Sequence, residues 1–269
     1  MGMRSAIVVG ATGLVGSQLV RLLCESDEYV SVTALARRKL GYEHKKLVER
    51  IVNFDELAEE DLEFADEVFC CLGTTIKKAG TRGNFEKVDL AYPLHIASLA
   101  KKRSVRHFIV ISAMGANDKA LAHYSRVKGK LEKELIAMDF PQLSIVRPSL
   151  LVGNRQEFRL GEKVGEMVLK VINPMLVGPL KGTRSIKASQ VALAMKVIAL
   201  NGEQKKVAVY DSAQLASMQM PIRESGAGNS RADLFDWQKG KEEDLKPVDE
   251  DVVFDHAKLK ERGVRKDDE

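Results

Sequence analysis

Three side chains near the middle of the chain have the types and spacing of a proton-transfer site. Ser112 ends an apolar run, and Tyr124 and Lys128 follow it. Tyr124 and Lys128 are one helical turn apart and therefore share a helix face. A carbonyl that accepts a hydride needs a proton donor at its oxygen, and an ammonium beside a phenol lowers the phenol pKa from its usual value of about 10. Ser112 would hydrogen-bond the reacting oxygen. The alternative is a Tyr-x-x-x-Lys pair that arises by chance on a surface helix.

A glycine-rich turn near the N-terminus predicts a phosphate site. The apolar run ending at Val9 leads into Gly10-Ala11-Thr12-Gly13-Leu14-Val15-Gly16, and a helical pattern follows. A strand that ends in glycines and opens a helix presents backbone N–H groups and the positive helix end to a phosphate. Thr12 could donate a hydrogen bond to the ligand or cap the helix. The spacing differs from Gly-x-Gly-x-x-Gly and lacks the Gly-Lys-Ser/Thr of a P-loop. A purely structural strand-to-helix turn is the alternative. The predicted cofactor contacts here are Gly10, Thr12, Gly13, Leu14, Val15 and Gly16.

The end of the second strand indicates which dinucleotide binds. An NAD site commonly carries an acid at this point to hold the ribose 2′-hydroxyl. This chain instead has Ala36-Arg37-Arg38-Lys39. Guanidinium groups bind phosphate in bidentate pairs and stay charged. We therefore expect NADP(H), with Arg37 as the leading contact to the 2′-phosphate and Arg38 as the second. A solvated basic loop is the alternative.

Two further segments follow predicted strands. Asp55 comes after the third strand, where an acid can meet the adenine edge, although a surface aspartate is nearly as good an interpretation. Cys71-Leu72-Gly73-Thr74 comes after the fourth strand. The small Gly73 would let the cofactor pass close to the backbone. These four residues and Asp55 are therefore included among the predicted cofactor contacts.

The pattern of apolar runs predicts the fold. Helical patterns alternate with short apolar runs, which favours a doubly wound α/β fold with a parallel sheet covered on both faces. In such a fold the ligand lies at the carboxyl ends of the strands. The predicted strands are Ser5–Val9, Val30–Leu35, Arg50–Phe54, Glu67–Leu72, His107–Ser112, Leu143–Arg147 and Lys206–Tyr210. The predicted helices are Leu14–Cys24, Phe85–Lys102, Lys128–Met138, Val164–Ile172 and Val191–Leu200.

Composition excludes several classes of function. The net charge of +4 on 269 residues gives no electrostatic case for nucleic acid. No apolar stretch reaches the roughly 20 residues that cross a bilayer. No secretory signal is visible, and Cys24, Cys70 and Cys71 read as reduced core residues. No Cys or His cluster has zinc spacing, so no metal is expected. These features predict a cytoplasmic location.

The character of the chain changes after about Leu215. Residues 221–269 hold 14 acidic and 10 basic side chains, and Ser225–Ser230 has linker composition. We expect a nucleotide-binding domain over residues 1–215 and a tail over residues 216–269. The tail is either solvated or an arm whose aromatic residues, including Trp237, dock on this subunit or on a neighbour.

Taken together, the ordered motifs resemble the short-chain dehydrogenase/reductase superfamily. The likeness is to its atypical branch, the family of the Tat-interacting tumour-suppressor protein, and covers about residues 3–212. It is carried by the glycine turn, the segment Cys71–Thr75, the two segments around Ser112 and Tyr124, the run Val146–Gly153, and Arg155-Gln156-Glu157.

The resemblance implies a Rossmann-type fold, bound NADP(H), and a catalytic set that matches Ser112, Tyr124 and Lys128. It also implies that Pro148, Leu150 and Leu151 lie beside the nicotinamide and that residues 154–179 border the substrate pocket. Where the better-known enzyme branches have Asn-Asn-Ala-Gly, this chain has Cys-Leu-Gly-Thr. That difference leaves the substrate open.

The leading hypothesis is an NADPH-dependent reductase of a small carbonyl-type substrate, with Tyr124 as the acid/base. The alternative is an NADP(H)-binding redox sensor or scaffold without turnover. Epimerisation or dehydration on the same fold is a third interpretation. Beyond the small-molecule substrate, the partners left open are a second copy of the chain and a protein bound through the tail.

Overall fold

The computed structural model describes residues 3–153, 185–201 and 205–220. These described residues belong to one compact unit. Seven parallel strands make one sheet in the order β3-β2-β1-β4-β5-β6-β9, and β7 pairs with β8 separately. The order reverses between β1 and β4, which places the ligand crevice of a doubly wound sheet at their carboxyl ends. The strands are β1 (Arg4–Val9), β2 (Tyr29–Ala36), β3 (Leu47–Ile51), β4 (Glu67–Cys70), β5 (His107–Ile111), β6 (Gln142–Arg147), β7 (Leu151–Val152), β8 (Ile186–Lys187) and β9 (Val207–Asp211).

Helices cover both faces of the sheet and confirm the predicted fold class. They are α1 (Gly16–Cys24), α2 (Ile76–Ala79), α3 (Arg82–Glu86), α4 (Tyr92–Lys102), α5 (His123–Ala137), α6 (Ala188–Asn201) and α7 (Ser212–Ser217), with a 3₁₀ turn at Glu59–Asp61 and a π-helical turn at Lys87–Ala91.

Alternate residues of the central strands enter two separate cores. Ala6 and Val8 of β1 pack in the core that also contains residues of α1 and α6, whereas Ile7 and Val9 pack in the core with residues of α4 and α5. Both faces of the sheet are therefore buried at β1, which explains why this strand is apolar at consecutive positions and not only at alternate ones.

A π-helical turn interrupts the helix that the sequence predicts over residues 85–102. The N–H of Tyr92 donates to the carbonyl of Lys87, five residues back. Pro93 follows, and it has no N–H to give the carbonyl of Asp89 four residues before it. The missing donor removes one α-helical bond at this point. The wide turn places Asp89, which is 1% exposed, inside the protein.

Two other boundaries differ from prediction. Strand β3 lies at the sheet edge with Val48 and Ile51 exposed, so apolar content did not mark its start. Helix α5 begins at His123, five residues before the predicted start. No side chain caps it. The Arg126 guanidinium donates to the carbonyls of Ala120 and Leu121, which lie just before the helix.

Several predictions fall outside the described residues. These are the helix Val164–Ile172, the substrate-bordering segment 154–179 and the tail beyond residue 220. The domain division at 215/216 stays a prediction. Within the described ranges, no helix is both long enough and apolar enough to cross a membrane.

Candidate functional site

The glycine turn is closed tightly against the end of β4. Gly10 has φ +78°, a region that favours glycine, and a Cβ there would lie 2.8 Å from the carbonyl oxygen of Cys71. The N–H of Gly13 donates to the carbonyl of Gly10 at 2.9 Å. A Cβ on Gly16 would lie 2.3 Å from that same carbonyl oxygen. Side chains at positions 10 and 16 are therefore excluded by backbone atoms.

The start of α1 is left open to a ligand. Its first residue is Gly16, and the residue before it, Val15, makes no side-chain cap, so Thr12 does not cap the helix. Thr12 and Gly13 are exposed. The Val15 side chain is 4% exposed and belongs to the core, so only its backbone can meet a cofactor. This cradle, which side chains would fill, fits a dinucleotide phosphate.

The basic residues lie at the carboxyl end of β2, beside β1. Arg37, Arg38 and Lys39 are exposed, and among the described residues neither arginine has an ion-pair partner. The N–H of Leu40 donates to Glu49 Oε1 at 2.7 Å, which ties the end of this loop to β3. The two guanidinium groups are thus available to a ligand at the edge of the crevice.

Asp55 is engaged by the segment that carries the π turn. Its carboxylate receives hydrogen bonds from Lys87 Nζ and from the Tyr92 hydroxyl, both at 2.9 Å. These bonds, that of Lys87 first, lower the pKa of Asp55. An adenine amine would have to share this carboxylate with Lys87 and Tyr92.

The segment after β4 forms the floor of the crevice. The N–H of Cys71 continues the sheet by donating to Val9 O at 2.9 Å, and Leu72 packs at the edge of the second core. A Cβ on Gly73 would lie 3.4 Å from Asp89 Oδ1 and 3.9 Å from Lys128 Nζ. Because position 73 has no side chain, these two charged groups lie directly beneath an open stretch of backbone.

Lys128 and Asp89 form a buried ion pair at this point. Lys128 Nζ lies 2.8 Å from Asp89 Oδ1, and the two side chains are 2% and 1% exposed. Lys128 also donates to the carbonyl of Ile111 at 3.4 Å. Asp89 Oδ2 accepts from the N–H of Thr74 at 2.8 Å. The ammonium is therefore fixed between the ends of β4 and β5.

Tyr124 lies one turn before Lys128 on α5, as predicted, and is 38% exposed. Its ring packs against Phe85 with centroids 5.6 Å apart. Its pKa is raised, however, and not lowered as expected. Loss of solvent around the phenol is the largest cause, and the Asp89 carboxylate adds to it against the opposing charge of Lys128. The phenol of Tyr124 therefore carries its proton at neutral pH, and its burial further disfavours the phenolate.

The Ser112 hydroxyl is directed into the protein. Ser112 is 3% exposed and donates to Glu132 Oε1 at 2.5 Å. Arg147 donates from Nε to the same oxygen at 2.9 Å and from its terminal nitrogen to Oε2. A hydroxyl has one proton to donate. In this arrangement Ser112 links β5 to α5 and β6, and its proton is donated to Glu132.

Residues after β6 complete the carboxyl edge. The buried Pro148 accepts at its carbonyl from the N–H of Met114 at 3.0 Å. Leu150 is 55% exposed, and its carbonyl accepts from Ile186 at 3.0 Å. Leu151 is partly buried in β7. A Cβ on Gly153 would lie 2.9 Å from the Cδ1 of Leu14, so this segment runs against the glycine turn.

Sequence reasoning missed three charged residues of the site: Asp89, Glu132 and Arg147. A signal existed for one of them, since Tyr124, Lys128 and Glu132 recur every fourth residue on one face of α5. The proline four residues after Asp89 marked the π turn. Within the described residues there is no cluster of metal-ligand side chains, and the three cysteines are free.

Comparison with known proteins identifies the family of the chain. Residues 10–170 match the NAD(P)H-binding family. The mitochondrial protein FMP52 of Eremothecium gossypii is 34% identical over 223 residues, covering 80% of this chain and 96% of its own. Protein HTATIP2 of Rattus norvegicus is 37% identical over 164 residues, covering 59% and 67% respectively.

Solved structures share the fold at low identity. MoeE5 in complex with UDP-glucuronic acid and NAD has a TM-score of 0.60 and 19% identity, covering 76% of this chain and 75% of its own. UDP-glucuronic acid 4-epimerase from Bacillus cereus, in complex with NAD, has a TM-score of 0.56 and 16% identity, covering 77% of each chain.

One sequence prediction is wrong by these findings. The chain is expected to be cytoplasmic, whereas the FMP52 relatives from Eremothecium gossypii and Candida albicans are named as mitochondrial proteins. Reduced cysteines do not separate cytosol from mitochondrion. The resemblance drawn from the motifs is confirmed: the chain belongs to the NAD(P)H-binding family, and FMP52 and HTATIP2 are among its relatives.

Proposed function

We propose that the protein is an NADPH-dependent oxidoreductase that reduces a small carbonyl-type substrate. One observation carries the proposal: Lys128 is held beneath Gly73, beside the glycine turn, and Tyr124 lies one turn away on the same helix face. This arrangement joins a cofactor cradle to a proton donor at the sheet's switch point.

The chain's residues would divide the reaction in a simple way. Bound NADPH supplies a hydride. Tyr124 donates its proton to the carbonyl oxygen, which yields the alcohol and leaves a phenolate that solvent reprotonates. Lys128 stabilises that phenolate by its positive charge. The predicted role of Ser112 as a donor to the substrate oxygen requires its hydroxyl to turn away from Glu132.

The proposed preference for NADPH over NADH rests on the exposed Arg37 and Arg38. It is tested by fluorescence titration of the protein with each cofactor. We expect wild type to bind NADPH more tightly, and Arg37→Glu to reduce the NADPH/NADH affinity ratio at least about tenfold, since a charged hydrogen bond is worth about 1.5–3 kcal/mol.

The matched control for this test is Arg106→Glu. Arg106 is also exposed, but it precedes β5 and therefore lies at the amino ends of the strands, away from the crevice. It should leave the ratio unchanged. An unchanged ratio in Arg37→Glu would remove the assignment of Arg37.

Turnover is tested with Tyr124→Phe. We expect NADPH oxidation with a panel of carbonyl and quinone substrates to fall about a hundredfold or more, because general acid catalysis contributes about 10²–10⁴. NADPH affinity should persist. Tyr42→Phe, which changes a partly buried tyrosine next to Arg21, is the control. Full activity in Tyr124→Phe would refute the proposed acid.

A second candidate is an NADP(H)-binding redox sensor or scaffold without turnover. One observation favours it: the Ser112 proton is committed to Glu132 and is not offered to a substrate oxygen. On this proposal NADPH binds but is not oxidised with any member of the substrate panel. The partner would be a second copy or another protein, and removing residues 221–269 would abolish that association while NADPH still binds.

A further inference from the structure

The buried pair of Lys128 and Asp89 is more than a structural ion pair. The ammonium and the carboxylate are 2.8 Å apart. Nevertheless, within the described residues, Asp89 Oδ1 has no hydrogen bond of acceptable geometry. The attraction is therefore chiefly electrostatic. A lysine has three N–H donors, so those not used by the Ile111 carbonyl remain for other acceptors in the crevice.

Asp89 is itself held from two sides. Its Oδ2 accepts the N–H of Thr74 at 2.8 Å, at the end of the segment after β4. Its backbone lies in the π-helical turn that precedes Pro93. Turns of this kind occur often at functional sites. The carboxylate therefore has a fixed place, and so does the ammonium that it faces.

The charge of Asp89 reaches Tyr124. The charged groups that act on the phenol are Lys128 on its own helix and Asp89 from the π turn. Glu86 on α3 instead faces His123, at 3.6 Å. Lys128 favours the phenolate, while Asp89 favours the phenol. Without Asp89, the buried Lys128 would lower the Tyr124 pKa with no opposing charge, since low solvent access weakens screening.

We propose that Asp89 is a positioning residue that holds the Lys128 ammonium beneath Gly73 and offsets its charge at Tyr124. The inference deepens the proposed function and rests on it for its catalytic meaning. Its consequence is that Tyr124 holds its proton more firmly than it would beside Lys128 alone, and the protonated phenol is the form that donates to a carbonyl oxygen.

The test is a pH titration of tyrosinate absorbance in the cofactor-free full chain. Subtracting Tyr124→Phe from wild type isolates Tyr124, and the same subtraction is made in an Asp89→Asn background. We expect the Tyr124 midpoint to fall by about one pH unit or more in Asp89→Asn, a tenfold rise in its ionisation constant. An unchanged midpoint overturns the proposal.

The matched control is Asp118→Asn. Asp118 pairs with Lys133 of the same helix α5 at 3.4 Å, but on its exposed side. It should leave the midpoint in place. A purely structural role for Asp89 predicts lower stability in Asp89→Asn with the same Tyr124 midpoint, so the titration separates the two roles.

A lone buried ammonium could prevent Asp89→Asn from folding. The double variant Asp89→Asn with Lys128→Met removes both charges, and it is compared with Lys128→Met alone. The proposal expects the lower Tyr124 midpoint in the double variant, and an equal or higher midpoint overturns it. The titration uses cofactor-free protein, so an unchanged Tyr124 midpoint refutes only the role of Asp89. Failure of NADPH to bind wild type would instead refute the proposed function.

Discussion

Replacing Gly73 with alanine should weaken cofactor binding while changing the stability of the fold very little. The added Cβ would lie 3.4 Å from Asp89 Oδ1 and 3.9 Å from Lys128 Nζ, both of which are ordinary contact distances. The backbone at this position is outside the left-handed region, so alanine is allowed there. Restricting the unfolded chain stabilises by about 0.4–1 kcal/mol, and in the folded state the added Cβ makes only ordinary contacts. We expect the free energy of unfolding to change by less than about 1 kcal/mol.

The effect on binding should be much larger. A ligand oxygen that approaches Lys128 over Gly73 needs about 2.9 Å from the nitrogen, and the new methyl group occupies that approach. Losing one hydrogen bond to a charged group costs about 1.5–3 kcal/mol, which is roughly a 10- to 150-fold weaker Kd for NADPH.

The assay is NADPH fluorescence titration beside urea unfolding of the same sample. Gly83→Ala is the matched control, because a Cβ there meets nothing within 4 Å and the residue lies in α3; binding should be unchanged. Wild-type affinity in a stably folded Gly73→Ala would show that the cofactor does not pass over Gly73.

Two further predictions concern stability. Gly16→Ala should destabilise the protein by about 3 kcal/mol or more in urea unfolding, because its Cβ would lie 2.3 Å from a backbone oxygen that no side-chain rotation can relieve; a loss below about 1 kcal/mol would contradict the contact. His107 is buried against Ser144, and burial, aided by Arg4, lowers its pKa from 6.5 to about 4. The unfolded chain therefore binds a proton below pH 6.5 that the folded chain refuses until about pH 4. As the pH falls from 6.5 to about 4, the free energy of unfolding of wild type should decrease by about 3 kcal/mol more than that of His107→Gln, as measured by unfolding at each pH. Parallel pH profiles of the two proteins would exclude His107 as the cause.

Local patterns were enough for much of this fold. Consecutive apolar residues in β1 indicated a strand buried on both faces, because each face of the sheet is covered by helices. The edge strand β3 was misplaced by three residues since one side of it meets solvent and its apolar content is low. The start of α5 was missed because no capping residue marks it.

The site was predictable in part for the same reason. The spacing of Tyr124 and Lys128 follows from helix geometry alone, and the glycine turn follows from the need for close backbone contact. Asp89 is far from Lys128 in sequence, and no local pattern ties the two together. The direction of the Ser112 hydroxyl depends on Glu132, which comes from another element.

The sequence by itself determined the alternation of strands and helices, the phosphate turn and the helix face that carries the tyrosine and lysine, since each depends on neighbours within a few residues. Only the tertiary structure decided the charge balance at Tyr124 and the partner of Ser112. Both depend on distances between side chains of separate elements, and because these side chains are buried, solvent screens their charges only weakly.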